Sequence, residues 1–310
     1  MKISCYQEGD EIKILELFKI VYAKELDIEF WKWRFSNAPN FNPHMIQLMW
    51  DGNKLVGHYA VSPAQLSVNG KTNVVGLSMT TMTHPDYTRR GVFTKLASEL
   101  YSKIEGELGI SIVYGFPNAN SYPGFISKLG WQEVDQIKSL RFDGLNNKES
   151  ISSNTGNFRK VESFSEINAD TYNSILKGYN VSLFQSVDRL SWRYLKCPTY
   201  TYNIYSDLTT GEFLVSKTYV NNGVEEVDLV ELAVHNKKAN IEAAIKCVLE
   251  NEEINTINCW MPKIDKRYNK LTALGFNETE ITTNFCILNK EHLKVTTTAF
   301  YYQMGDSDVY

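Results

Sequence analysis

The amino-acid sequence predicts an α/β protein with a mixed sheet, built as two tandem copies of one unit, the second of them degenerate. Three observations lead there. The 310 residues suffice for two domains of about 150 residues each. The second half repeats motifs of the first half, and the first half alternates strand and helix patterns. The composition, with 43% hydrophobic and 22% charged residues, is that of an ordinary globular chain.

The internal repeat is carried by a tryptophan-arginine motif. Residues 33–39 read WRFSNAP and residues 192–198 read WRYLKCP, an offset of 159 residues. The same offset aligns Gly52 with Gly211, Leu55 with Leu214 and Val56 with Val215. A later block, residues 129–131 (LGW) against 274–276 (LGF), aligns at 145, so the second copy is 14 residues shorter in its middle. Such agreement indicates a duplication.

A polar segment separates the two copies. Residues 144–157 (GLNNKESISSNTGN) are rich in Gly, Ser and Asn, which is typical of a loop or linker. The sequence therefore predicts a first domain at 1–145, a linker at 146–157 and a second domain at 158–310. We expect the second domain to contribute to an acceptor pocket or to be structural.

The hydrophobic periodicity predicts the elements of the first copy in order. Asp51-Gly52-Asn53 and Asn69-Gly70 supply hairpin turns, and the apolar residues of 92–108 form one helical stripe at four-residue steps. The predicted elements are a strand at 2–6, a helix from about 10, strands at 45–50, 55–61, 64–68 and 74–83, a helix at 91–108, a strand at 110–116 and a helix ending at 130.

Charge, cysteine content and hydropathy narrow the function classes. With 32 Lys and Arg against 36 Asp and Glu, the chain lacks the basic excess that nucleic-acid binding normally needs. The five cysteines are far apart and form neither a disulfide framework nor a metal-binding motif. The N-terminal residues are interrupted by acids, and no apolar run is long enough to span a bilayer. We expect a cytoplasmic protein without nucleic-acid or membrane partners.

The most informative stretch is the turn that follows the strand at 74–83. The strand ends at His84-Pro85, Arg89 and Arg90 follow, and Gly91 opens the long helix. The first turn of a helix presents unpaired N–H groups and the positive end of the helix dipole, and a glycine lets a ligand approach the backbone. The residues of this turn therefore predict an anion site.

This turn resembles the phosphate-binding motif of the GCN5-related N-acetyltransferase (GNAT) superfamily, [Q/R]-x-x-G-x-[G/A]. The motif falls on residues 88–93, where the central Gly91 and the basic residue before it match, while Thr88 and Phe93 depart from the pattern. Downstream, the Asn118 loop and the LGW at 129–131 resemble the last motif of the family. The resemblance covers residues 2–134, with a degenerate copy from about 158, as in tandem GNAT enzymes.

The resemblance implies an acyl-CoA-dependent N-acyltransferase without a metal, in which acetyl-CoA is the co-substrate and the acceptor is a primary amine of a small polar metabolite. The amine attacks the thioester directly. The implied oligomeric state is a monomer or a homodimer. The cofactor-binding residues that the resemblance implies are Thr81, Met82 and Thr83 for the pantetheine arm, Arg89, Arg90, Gly91, Val92, Phe93 and Thr94 for the pyrophosphate, and Asn118.

Three places in the sequence hold candidates for proton transfer. The family's tyrosine acid is expected about seven residues after the loop asparagine, where this chain has Phe125. Tyr122, three residues earlier, is the candidate acid if the helix begins differently, against the alternative that it packs the helix start. His58 lies on a predicted strand and has the intrinsic pKa of a base, although a histidine on an alternating strand is more often structural. Some tandem GNAT enzymes place the C-terminal carboxylate in the active site, so the third catalytic candidate is the carboxylate of Tyr310, or else Asp306 or Asp308, against the alternative of a frayed tail.

The second copy departs from the motif at its own turn. There residues 235–242 read HNKKANIE, without a glycine and with an acid in the helix start, which disfavours a pyrophosphate. We therefore expect one CoA site, in the N-terminal half. Two alternatives remain: a non-catalytic CoA-binding sensor or scaffold, and a FemABX-like transferase that takes its group from aminoacyl-tRNA.

Overall fold

The computed structural model describes residues 1–68, 70–144, 151, 156–167, 169–176, 179–184, 186–252, 254, 256–289, 300–308 and 310. Two compact units emerge, and each is assembled from separate segments. Unit 1 comprises residues 1–64, 74–135 and 284–294, and unit 2 comprises residues 65–73, 136–283 and 295–310. Most of the linker expected at 146–157 lies outside the described residues, and the boundaries expected from the sequence stay a prediction.

The first half of the chain alternates helices and strands in the predicted order. Its elements are β1 (Lys2–Cys5), α1 (Glu11–Tyr22), α2 (Ile28–Arg34), β2 (Ile46–Asp51), β3 (Lys54–Val68), β4 (Lys71–Thr83), α3 (Val92–Leu108), β5 (Ile112–Gly115), α4 (Tyr122–Leu129) and β6 (Gln132–Asp143). Short 3-10 turns at Pro43–Met45 and Pro85–Tyr87 precede β2 and follow β4.

One expectation for this half is wrong. Residues 55–61 and 64–68 form a single strand, β3, which continues through Pro63. The β2 partner of β3 ends at the pair Ile46–Ala60, so Pro63 lies beyond the last residue pair of that ladder. Since proline lacks only the N–H donor, it is tolerated where no neighbouring strand needs that donor.

The second half contains the same series of elements with two added strands, at Val181–Leu183 and Phe300–Tyr301. Its elements are β7 (Arg159–Val161), α5 (Ala169–Leu176), β8 (Val181–Leu183), α6 (Val187–Leu190), a π-helical turn (Ser191–Leu195), β9 (Asn203–Asp207), β10 (Glu212–Asn221), β11 (Val224–Ala233), α7 (Lys238–Asn251), β12 (Thr256–Cys259), α8 (Tyr268–Ala273), β13 (Phe276–Asn289) and β14 (Phe300–Tyr301).

The sheets are mixed. In unit 1 the strands lie in the order β1-β2-β3-β4-β5 followed by the end of β13, and β4 and β5 are parallel. In unit 2 the end of β6 is followed by β12-β11-β10-β9-β7, and β11 and β12 are parallel. The end of β3 pairs with β8, which also pairs with β14. The predicted α/β class with a mixed sheet is confirmed.

The two units are discontinuous because the last long strand of each half ends in the sheet of the other unit. After α4, residues 140–143 of β6 pair with β12 in unit 2. After α8, residues 286–289 of β13 pair with β5 in unit 1. Both pairings are antiparallel. In each, the strand that follows the last helix of one half pairs with the strand that precedes the last helix of the other half.

The core of unit 1 lies between its sheet and α3. The predicted stripe of α3 is confirmed, since Val92, Leu96, Leu100 and Ile104 are buried in one cluster with Tyr59. At roughly 25 cal/mol for each square ångström of apolar surface removed from water, these side chains hold the helix on the sheet. This packing sets where the first turn of α3 lies.

No helix in the described part of the chain is long and apolar enough to cross a membrane.

Candidate functional site

Strands β4 and β5 separate near their ends. Their parallel pairing covers Gly76 with Val113 and Leu77 with Tyr114, whereas β4 continues to Thr83. Among the described residues, no strand pairs with β4 on this side from Ser78 onward. The backbone of β4 along this stretch, which we call the β4–β5 gap, therefore has no strand partner on this side in the described structure, and its Thr81 carbonyl accepts from the Tyr22 hydroxyl at 3.0 Å.

A backbone irregularity lies beside the gap. Thr80 has a φ of 49°, in the left-handed region that a β-branched residue rarely adopts. Its carbonyl oxygen lies 2.7 Å from Nδ1 of His58 on the adjacent strand β3. Because a carbonyl only accepts hydrogen bonds, Nδ1 carries the proton and donates it. The bond stabilises the unusual conformation of Thr80.

His58 is therefore a neutral, buried histidine. It is 0% exposed, and burial lowers its pKa from 6.5 to about 4. Within the described chain, Nε2 has no hydrogen-bond partner. Its role as a base stays a prediction, but the geometry favours a positioning role, since the ring is enclosed and its one proton is bonded to Thr80.

The turn after β4 is anchored to the sheet and then reverses the chain. The backbone N–H of His84 donates to the carbonyl oxygen of Val56 at 2.9 Å. Two positive φ values follow, 60° at Arg89 and 73° at Gly91. Gly91 is the N-cap of α3, and among the described residues no side chain caps this end of the helix.

The first turn of α3 exposes backbone donors. The first hydrogen bond into the helix runs from the N–H of Lys95 to the carbonyl oxygen of Gly91 at 3.0 Å. The N–H groups of Val92, Phe93 and Thr94 precede it and face the end of the helix, where the dipole is positive. The Thr94 hydroxyl also donates to the Gly91 carbonyl, at 3.1 Å. A phosphate fits this end of the helix by charge and by donor geometry.

Cationic side chains surround the same turn. Arg89 and Arg90 are exposed, and the Arg90 guanidinium lies 4.9 Å from the ring centre of Tyr87. The Tyr87 hydroxyl donates to Asp51 at 2.7 Å, which fixes the ring under the guanidinium. The predicted basic residues of the anion site therefore lie on a turn that the Tyr87–Asp51 hydrogen bond fixes.

Two glycines that the sequence analysis did not single out set the position of α3. A Cβ on Gly57 would lie 2.4 Å from Cγ1 of Val92, and a Cβ on Gly124 would lie 3.0 Å from the Phe93 ring. Phe93, where the family motif has a small residue, packs against Phe125 with ring centres 5.1 Å apart. Gly124 supplies the space that a small residue at position 93 would have left.

The loop after β5 is built around Asn118. Its side-chain oxygen accepts from the N–H groups of Asn120 at 3.0 Å and Ser121 at 3.1 Å, which orders the chain into α4. At the start of α4, the Tyr122 hydroxyl donates to Glu133 at 2.6 Å. This bond is the main reason that the pKa of Tyr122 is raised to about 12.

The C-terminal residues are packed into unit 2. Tyr310 lies against Trp260, with ring centres 5.1 Å apart, and burial raises the pKa of its phenol to about 12. Asp306 is buried and accepts from the N–H of Gln303 at 2.8 Å. The alternative of a frayed tail is therefore wrong for residues 300–308 and Tyr310. The catalytic roles of Tyr122 and Tyr310 stay predictions.

Unit 2 has a strand end equivalent to the β4–β5 gap, and the tail covers it. The pairing of β11 with β12 ends at Leu229 and Cys259, while β11 continues to Ala233. There the N–H of Leu232 donates to the side-chain oxygen of Gln303 at 2.5 Å. A Cβ on Gly305 would lie 2.9 Å from the carbonyl oxygen of Val230. The tail therefore fills this place in the described structure.

The comparisons agree with the geometry. Residues 2–134 match the family model of the acetyltransferase (GNAT) domain. The match covers β1 to α4 and the first three residues of β6, and it includes the gap, the turn and the start of α3. No curated protein matches the chain.

Solved structures have the same fold over nearly the whole chain. A GCN5-related N-acetyltransferase from Anabaena variabilis is 12% identical, with a TM-score of 0.70 over 92% of this chain and 72% of its own. A second, from Kribbella flavida, is 12% identical, with a TM-score of 0.69 over 92% and 70%. A conserved protein from Enterococcus faecalis, described as a probable N-acyltransferase, is 11% identical, with a TM-score of 0.71 over 93% and 73%. At this identity they show a GNAT-like fold.

The repeated tryptophan-arginine motif belongs to the packing. Arg34 lies 5.6 Å from the ring centre of Trp33, and Arg193 donates to the Tyr202 hydroxyl at 3.1 Å. Both arginines are buried.

The described residues contain no group of three His, Cys, Asp or Glu side chains that could hold a metal ion.

Proposed function

We propose that the chain is an acyl-CoA-dependent N-acyltransferase, with acetyl-CoA as donor and a primary amine of a small polar metabolite as acceptor. One observation carries the proposal: the open backbone of β4, from Ser78 to Thr83, continues directly into the Gly91 turn and the uncapped start of α3. An extended ligand with a phosphate at one end matches this arrangement. The match of residues 2–134 to the GNAT domain supports it.

The residues present fit CoA. The N–H groups of residues 92–94, with Arg89 and Arg90, would hold the pyrophosphate. The backbone of Thr81, Met82 and Thr83 would accompany the pantetheine arm, and Asn118 lies on the loop that follows the neighbouring strand β5. CoA supplies an activated acyl thioester. Everything else in the reaction is positioning and proton transfer by this chain.

The positioning is built into the strand. The His58–Thr80 bond fixes the backbone at the gap, so that backbone donors there need no rearrangement when a carbonyl oxygen becomes negative. The Tyr22 hydroxyl of α1 donates to the Thr81 carbonyl at 3.0 Å, which places α1 against the same strand. Both contacts are made within the chain itself and therefore preorganise the site.

Tyr122 is the proposed acid for the departing thiolate. Its proton points to Glu133 in the resting protein, so protonation of the thiolate requires the hydroxyl to leave that partner. A phenol held at a pKa of about 12 stays protonated at neutral pH. Tyr122→Phe should lower kcat and leave acetyl-CoA binding unchanged.

We propose one acyl-CoA site for each chain. In unit 2 the equivalent strand end is covered by Gln303 and Gly305, and α7 begins at Lys238 without a glycine N-cap. Glu242 in its second turn adds negative charge. The tandem arrangement would then keep one catalytic copy and one that stabilises the fold.

The test of the activity is thiol release from acetyl-CoA with a panel of amino sugars, polyamines and aminoglycoside-like amines. We expect amine-dependent release by the wild type and none by Gly91→Glu, which places a carboxylate in the phosphate position. Binding of acetyl-CoA without release for any amine would favour a CoA-binding sensor. Absence of binding would contradict the proposal and favour a donor such as aminoacyl-tRNA.

A further inference from the structure

A chain of three hydrogen bonds runs through the core of unit 1 to the β4–β5 gap. The indole N–H of Trp131 donates to the Tyr101 hydroxyl at 3.0 Å. The Tyr101 hydroxyl lies 2.7 Å from that of Tyr59, and the Tyr59 hydroxyl lies 2.8 Å from Oγ of Ser78. All four side chains are buried.

The donors of this chain outnumber its hydrogen bonds by one. An indole N–H can only donate, so the Tyr101 oxygen accepts from Trp131. If Tyr101 then donates to Tyr59 and Tyr59 to Ser78, every phenol proton has an acceptor, and the remaining proton lies on Ser78 at the gap, where a ligand can accept it. Any other arrangement leaves the remaining proton on a phenol in the core, which carries a desolvation penalty. Burial also raises the pKa of Tyr59 and Tyr101, so both phenols keep their protons.

Ser78 is consequently left with a proton to donate. Its oxygen accepts from Tyr59, and within the described residues nothing else accepts the Ser78 hydroxyl proton. Ser78 is the first residue of β4 beyond the pair of Leu77 with Tyr114, at the closed end of the gap. Across from it, a Cβ on Gly115 would lie 3.2 Å from the Ser78 Cβ. The hydroxyl therefore lies where the two strands begin to separate.

We propose that Ser78 is a catalytic residue whose hydroxyl donates a hydrogen bond to the carbonyl oxygen of the acyl thioester. The inference rests on the proposed function, since it needs an acyl-CoA whose arm follows β4 to the closed end of the gap. When the amine attacks, the C=O electron pair moves to oxygen, and the donated bond stabilises that charge. Ser78 keeps its proton throughout.

The chain of hydroxyls cannot act as a proton wire. It ends at the Trp131 indole, which has no proton to supply at neutral pH and is buried. Its effect is to hold the Ser78 donor in one orientation before the acyl group arrives. That is the arrangement expected of a preorganised donor and not of a general acid.

The test uses acetyl-CoA labelled with ¹³C at the carbonyl and no amine. Difference infrared spectra of the complex should show a lower carbonyl stretching frequency with the wild type than with Ser78→Ala. Ser78→Thr, which keeps a hydroxyl, should restore the shift. With a reactive amine, kcat of Ser78→Ala should fall by about 100- to 1,000-fold, while the Kd for CoA, which has no acyl group, stays unchanged.

Two further variants separate the parts of the inference. Ser127→Ala removes an exposed serine hydroxyl on α4 and should leave both the frequency and kcat at wild-type values. Tyr101→Phe removes the hydroxyl that holds the Tyr59 phenol and should lose part of the shift, because Tyr59 then orients Ser78 less firmly. A Ser78→Ala variant with an unshifted frequency and full kcat would overturn the role of Ser78 and leave the proposed function standing. Failure of acetyl-CoA to bind the wild type would overturn the proposed function itself.

Discussion

His58 donates its only ring proton to the carbonyl oxygen of Thr80, 2.7 Å away, and so ties strand β3 to the left-handed residue of β4. The strain of a β-branched residue with positive φ, on the order of 1–3 kcal/mol, persists only where neighbouring contacts determine it. Here the determining contact is a buried imidazole. The bond links the core of unit 1 to the backbone of the candidate site.

Acidification should weaken the protein through His58. Its pKa is about 4 in the folded chain and 6.5 when exposed, so the unfolded chain binds the extra proton first as the pH falls. The free energy of unfolding should drop by about 1.4 kcal/mol for each pH unit between 6.5 and 4. Urea unfolding at several pH values, with His58→Leu as comparison, measures this. An equal pH dependence in the two proteins would show that His58 is not buried neutral.

Gly91 and Gly109 are a matched pair at the two ends of α3. Both have positive φ, 73° and 67°, so alanine should cost about 1 kcal/mol of stability at either position. Only Gly91 lies in the proposed phosphate site. Gly91→Ala should therefore weaken acetyl-CoA binding, measured by calorimetry, and Gly109→Ala should not. A similar affinity for both variants would remove Gly91 from the site.

Gly57→Ala should displace the start of α3. The new methyl would meet Val92 at 2.4 Å and Leu96 at 2.8 Å, and such overpacking costs roughly 1–3 kcal/mol. Val92→Ala in the same chain should recover part of the stability and of the acetyl-CoA affinity. Gly106→Ala, in the same helix but with no atom within 4 Å, should be neutral or stabilising. A double-mutant cycle measured by thermal unfolding compares Gly57→Ala, Val92→Ala and the double variant. Additive effects of the two substitutions on stability would contradict this packing.

Gln303 should matter for folding and not for CoA binding. Its amide accepts from Leu232 and donates to Tyr172 at 2.8 Å and to Glu231 at 2.7 Å, all buried. Gln303→Leu leaves the Leu232 N–H without its acceptor and removes one donor each from Tyr172 and Glu231, which still bond to each other, so it should cost about 1–3 kcal/mol. Chemical denaturation gives the cost, and calorimetry should return the wild-type affinity for acetyl-CoA. A second molecule bound to the variant would show that the tail had covered a working site.

Periodicity and turn chemistry predicted the elements of the first half because both act over a few residues. The stripe of α3 and the Gly91 turn are of this kind, and both are where the sequence places them. The two strands expected in place of β3 were wrong, since whether Pro63 interrupts a strand depends on a neighbour that pattern analysis does not see.

Contacts between distant residues could not be predicted in this way. His58 and Thr80, or Gly57 and Val92, meet only after β3, β4 and α3 have packed. The burial of Gln303 beside Leu232 depends on a tail that returns to a strand 71 residues earlier. Phe93 departs from the motif, and the structure explains this departure because Gly124 leaves space for its ring.

The central claim is that the Gly91 turn is the acyl-CoA site of the chain. Calorimetric titration of the wild type, Gly91→Glu and Gly109→Glu with acetyl-CoA tests it most directly, because both variants add one carboxylate at a left-handed glycine of the same helix. We predict one molecule bound for each wild-type or Gly109→Glu chain and none for Gly91→Glu. Unchanged binding by Gly91→Glu, or two molecules bound to each wild-type chain, would contradict it.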